Sequence, residues 1–152
     1  VDAVTASGND VVIADALMPF VPTLLAMGHG EETIDAFMTD LTEVLAQVRP
    51  TMVFLDGNAE SALSRAATRE GEQWLDWYVA KLAGYEVSPP VADVASAVKY
   101  LLRERAVTLE AVRRNDWGLV VVERADELPP GEVLQVAQRG LRPWLGKTIT
   151  NA

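Results

Sequence analysis

The stretch TMVFLDGNAESALSRAATREG, residues 51 to 71, decides the fold. Its first six residues hold four consecutive apolar side chains and stop on Asp56, the pattern of a short buried strand. Residues 59 to 70 then read as a helix, with Asn58 placed to cap it by accepting a hydrogen bond from a first-turn N–H. On that helix Ala62, Leu63 and Ala66 can face a core while Arg65 and Arg69, one turn apart, leave together on another side. A buried strand passing at once into a helix is the leading half of a βαβ unit, and the same rhythm recurs on both sides of it.

Upstream, NDVVIAD (residues 9 to 15) reads as another short β-branched strand behind Gly8 and Asn9. EETIDAFMTDLTEVLAQV (31 to 48) sets Ile34, Phe37, Met38, Leu41, Leu45 and Val48 at helical spacing until Arg49-Pro50 ends it. Downstream, a helix is expected over residues 72 to 83, and SPP at 88 to 90 separates it from another over residues 91 to 106. WGLVVVE (117 to 123) is the third expected strand, and Pro130 opens a last helix through Val133, Val136 and Leu141. The expected order is β, α, β, α, α, α, β, α: an α/β fold with a parallel sheet in three layers, flanked by helices. Residues 1 to 152 form one domain in this reading, with 146 to 152 as a tail. Three strands are few for such a sheet. VDAVTASG at the start reads like the end of a helix, so the pattern is that of an α/β unit entered midway, lacking an N-terminal strand, loop and helix.

Composition narrows the classes of function. The 152 residues are 49% apolar and 23% charged, the range of a globular domain. The most apolar run, residues 11 to 28, is interrupted by Asp15 and two prolines, so no membrane partner is expected. With no cysteine there is neither a disulfide nor thiol chemistry, which fits a cytoplasmic location. The single His29 cannot build a histidine-rich metal site. A net charge of −9 opposes nucleic acid. A small anion could still be held by a few bidentate arginine contacts, which outweigh a screened long-range repulsion.

VFLDGNAESALSRAATREG together with GLVVVERADELPPGEVLQVAQRGLRPWL resembles the second half of P-loop kinases of the thymidylate-kinase and nucleoside-kinase kind. SGNDVVIADALM is similar to the middle strand of that family, which ends on an acidic residue near the transferred phosphate. The resemblance covers most of the chain in order, through short motifs. It implies a P-loop NTPase kinase-like phosphotransferase that uses ATP and Mg²⁺ on a nucleotide, a nucleoside or another small hydroxyl-bearing acceptor, with a homodimer as one assembly left open. The phosphate loop G-x-x-x-x-G-K-[ST] of that family is not found. GLRPWLGKT (140 to 148) imitates it, but with five residues between the glycines and a helix, not a strand, before it.

Under that resemblance Asp15 is the catalytic residue, accepting the proton of an attacking hydroxyl or holding Mg²⁺ through water, against the plain alternative of a turn or N-cap aspartate. Ala16-Leu17 follow it where many relatives carry an arginine. Arg65 and Arg69 would grip the phosphate donor, and Arg124 and Ala125 would contact adenine, against solvated faces and loop contacts. Phe20, Trp74, Trp77 and Tyr78 would line the acceptor pocket, with core packing as the rival explanation. Asp56 reads as a cap for the helix after it. Arg103, Arg105, Arg113 and Arg114 form the densest basic cluster, read as solvated helix ends or lid residues. The competing class is a non-catalytic α/β interaction module, or the remnant of a kinase that has lost its chemistry.

Overall fold

A computed structural model describes residues 11–14, 20–71 and 73–145. The chain runs through α1 (Phe20–Ala26), α2 (Glu31–Val44), β1 (Thr51–Leu55), α3 (Ala59–Glu70), α4 (Gln73–Ala83), α5 (Val94–Arg114), β2 (Gly118–Val122) and α6 (Pro130–Leu141). The two strands pair in parallel, with Thr51 beside Gly118 and Leu55 beside Val122. The strand expected over residues 9 to 15 is corrected over its described part: residues 11–14 take no regular structure, and Ile13 is 92% exposed. β-branched residues favour a strand only where a neighbouring strand accepts their backbone groups and a core takes their side chains, and these residues have no such core. Asp15 and the tail at 146–152 lie outside the described residues.

Side-chain alternation along the strands sorts the helices into layers. Met52, Phe54, Leu119 and Val121 pack with the first core cluster, which joins Val21 and Leu25 of α1, Ile34 and Met38 of α2, and Leu109 and Val112 of α5. On the opposite face Val120 and Val122 are buried. There α6 closes on the sheet so tightly that a β-carbon on Gly140 would lie 2.3 Å from a Val120 methyl. Helices therefore cover both faces of the two-stranded parallel sheet, while Leu55, on the α6 face but on the strand farther from that helix, stays 58% exposed.

The second core lies beside the sheet. Leu63 of α3, Leu82 of α4, Val87, Val91, and Ala97 and Tyr100 of α5 are buried together, with Trp74 and Tyr78 packed against them. The two cores meet along α5, which extends to Arg114, beyond the expected end at 106. Its start is fixed by a reciprocal capping box: Ser96 N donates to Asp93 Oδ1 at 2.7 Å, and Asp93 N donates to Ser96 Oγ at 2.9 Å. The expected end failed because the buried face shifts from Ala97 and Tyr100 to Thr108, Leu109 and Val112 as the helix passes from one core to the other. A single apolar stripe does not describe such a helix.

Two smaller features fix the ends of the strands. Trp117 is buried just before β2, and its indole N–H donates to Thr42 Oγ1 at 2.8 Å, joining α2 to the sheet entrance. Pro130 opens α6 at a position where its missing N–H costs nothing. The contact of α6 with β2 can be tested directly. In Gly140→Ala the added methyl would meet both Val120 methyls and its β-carbon, so turning the valine brings no relief. Overpacking should outweigh the gain in helix propensity, for a net loss of about 1–2 kcal/mol in urea unfolding. An unchanged or raised midpoint would show that the α6 layer yields freely.

Candidate functional site

At the carboxyl ends of β1 and β2 the chain leaves both strands in tight turns, and a crevice of about 600 Å³ opens between them and α5. This is the end of an open parallel sheet at which ligands bind in α/β folds, because the helices and loops diverge there. One wall is Leu55, Asp56 and Gly57 leaving β1, continued by Ala59, Ala62 and Arg65 of α3. The opposite wall is one face of α5, with Leu101, Leu102, Glu104, Arg105 and Thr108. Ala125 and Asp126, after β2, and Pro22 of α1 complete the rim.

Backbone geometry brings the two turns together. Arg124 sits at φ 53, a left-handed conformation uncommon for a residue with a β-carbon. The turn it makes lets Ala125 N donate to Asp56 O at 2.7 Å. Asp126 then crosses above Gly57, where a β-carbon would come within 2.9 Å of its carboxylate. Arg65 Nη1 donates to Asp126 Oδ2 at 3.2 Å, so the first turns of α3 are tied to the loop after β2. Asn58 caps α3 as expected, accepting from Ser61 N at 2.8 Å.

Asp56 has a different task from the cap expected of it. Arg105 reaches across from α5 and donates to it twice, Nε to Oδ1 at 2.7 Å and Nη2 to Oδ2 at 2.5 Å. This planar, two-point arrangement is the strongest form an arginine–carboxylate pair takes. The Arg105 hydrogen bond, opposed by partial desolvation, holds the Asp56 carboxyl below its ordinary range. Glu104, the next residue on α5, is the reverse case. Burial pushes its carboxyl up, and only the Tyr100 hydroxyl, one turn back, counters this by hydrogen bonding. No ion pair reaches Glu104 among the described residues.

Of the expected donor-site residues, Arg65 and Ala125 line the crevice. Arg69 lies outside its lining and pairs with the adjacent Glu70 at 2.6 Å, and Arg124 pairs with Glu127. The four expected acceptor residues also lie outside the lining. Trp74 and Tyr78 stack on each other at 4.9 Å against the second core. Trp77 is 55% exposed with the Lys81 ammonium 5.2 Å from its ring, and Phe20 is 51% exposed beside Phe37. Sequence reasoning did not assign Glu104 a role and placed Arg105 only in a basic cluster. The signal available was their shared position on α5 one turn after Leu101, which a helical wheel places beside the strand ends once α5 is known to be continuous.

Among the described residues no group of three or more acidic or histidine side chains is arranged to hold a metal ion. Both turn aspartates are engaged by arginines, Asp56 by Arg105 and Asp126 by Arg65, and Asp15, the expected Mg²⁺ ligand, lies outside the described residues. No helix among them is long and apolar enough to cross a membrane. Comparison with protein-family models, with curated proteins and with solved structures returns no match. What the fold and crevice define is a small α/β domain with a short parallel sheet packed against helices.

The Asp56–Arg105 pair has a measurable pH signature. A carboxyl whose folded pKa lies below its unfolded value contributes stability above about pH 4 and loses it as pH falls through the folded value. Asp56→Asn should therefore cost about 1 kcal/mol at pH 7, a modest figure because Arg105 is partly solvated. The gap to the parent chain should close below pH 4, measured by urea unfolding across pH. A gap that stays constant with pH would remove the ion pair as its cause.

Proposed function

We propose that this chain is a non-catalytic α/β interaction module, with the crevice at the strand ends as its binding site. The observation that carries the reading is the state of the arginines. Arg65 is matched by Asp126, Arg105 by Asp56, Arg69 by Glu70 and Arg124 by Glu127. An incoming phosphate would have to displace a carboxylate at each one, surrendering a charge-assisted contact to gain another. The remaining lining is largely aliphatic: Pro22, Leu55, Ala59, Ala62, Leu101 and Leu102. Such walls reward burial of an apolar surface, at about 25 cal/mol per Å² removed from water.

A second reading keeps the phosphotransferase, using ATP and Mg²⁺ on a small hydroxyl-bearing acceptor. One observation favours it: Arg65 and Ala125, residues the kinase resemblance assigns to the donor, both line a crevice at the carboxyl ends of parallel strands. In that reading Asp15 would accept the proton of the attacking hydroxyl or hold the metal.

Thermal unfolding with and without millimolar ATP and Mg²⁺ separates the two. The interaction module predicts no rise in Tm, because a ligand stabilises only in proportion to its binding of the folded state. A rise of several degrees that disappears in both Arg65→Ala and Arg69→Ala would overturn it in favour of the kinase-like reading.

A further inference from the structure

The charges around the crevice do not cancel. Asp56 is neutralised by the two-point contact from Arg105, and Asp126 by Arg65. Glu104 is left over: it lines the crevice, is more than half buried, and has only the Tyr100 hydroxyl as a polar partner among the described residues. A half-buried carboxyl in an aliphatic wall is stabilised most by a cation that brings its own apolar stem, since such a group satisfies the acid without exposing the wall to water. The net charge of −9 adds long-range attraction for the same kind of partner.

Resting on the interaction-module reading, we propose that the crevice binds a partner polypeptide segment in which a lysine or arginine is set among aliphatic residues, its cationic head meeting Glu104. A polypeptide fits better than a small amine for two reasons. The crevice continues past Glu104 onto the exposed side chains of Leu102 and Leu55, more apolar surface than a single amine stem covers. Leu55 also ends β1, the strand whose side away from β2 carries no strand among the described residues. Backbone groups along such a side can pair with an extended segment while alternate side chains enter the crevice.

The test is fluorescence anisotropy with three labelled heptapeptide probes that share leucine and valine flanks and carry lysine, norleucine or glutamate at the centre. n-Butylamine serves as competitor. The lysine probe should bind about tenfold more tightly than the norleucine probe, with the glutamate probe weakest and the lysine preference shrinking in high salt. Glu104→Gln should equalise the lysine and norleucine probes without weakening the latter, whereas Glu43→Gln, an exposed control on α2, should change nothing. Matching thermal melts for both variants establish that each is folded. Equal binding of all three probes to the parent chain would overturn the role of Glu104 while leaving the interaction module in place. Failure of every probe to bind would overturn both. Displacement of the lysine probe by stoichiometric n-butylamine would overturn the polypeptide in favour of a small amine.

Discussion

One helix has to be buried twice. α5 spends its amino-terminal half against α3 and α4 and its carboxyl-terminal half against α1, α2 and the sheet, and neither core is complete without it. Its Asp93–Ser96 box fixes where it begins, and the two clusters fix which way it rolls. The consequence for the site is direct. Ala97 and Tyr100 point into one core and Leu109 and Val112 into the other, and residues 101, 104, 105 and 108 lie on that same side of the helix, between the two cores. That face is the wall of the crevice.

Arg105 joins the two levels of organisation. Its guanidinium makes the long reach from the middle of α5 to the last residue leaving β1, and the Asp56 backbone carbonyl in turn accepts from Ala125 beyond β2. A side-chain ion pair and a backbone hydrogen bond thus meet at one residue, which holds the helix and both strand exits in register. The cost is that the aspartate most favourably placed for chemistry is committed to structure. The same holds for Asp126, engaged by Arg65. Glu104 escapes because the helical repeat turns it toward the tyrosines, not toward a cation.

Much of this architecture can be read from the chain itself. β1, α3 with its Asn58 cap, β2 and the Pro130 start of α6 all follow from local signals: a short apolar run, a capping side chain, a proline whose missing N–H is harmless. The strand expected over 9 to 15 does not form over its described residues because a β-branched run specifies a strand only where something pairs with it, and residues 11–14 carry no such partner among the described residues. α1 is not expected from the sequence because Pro22 obscures a helix, although a proline in the first turn is tolerated. The crevice is half legible. Arg65 and Ala125, singled out through a family pattern, line it, whereas the Asp56–Arg105 contact joins residues 49 positions apart and the place of Glu104 beside the strand ends carries no local signature. Charge pairing across a fold is a property of packing, and no spacing rule encodes it.

The flank of β1 away from β2, which no strand covers among the described residues, has a colloidal consequence. A short strand with apolar side chains at Val53 and Leu55 offers any second molecule an inviting template. The surplus of acid over base in the whole sequence opposes such pairing between copies, a mutual repulsion that dissolved salt weakens. The acidity of this chain therefore acts as a safeguard in its own right, set against the stickiness of a short apolar strand.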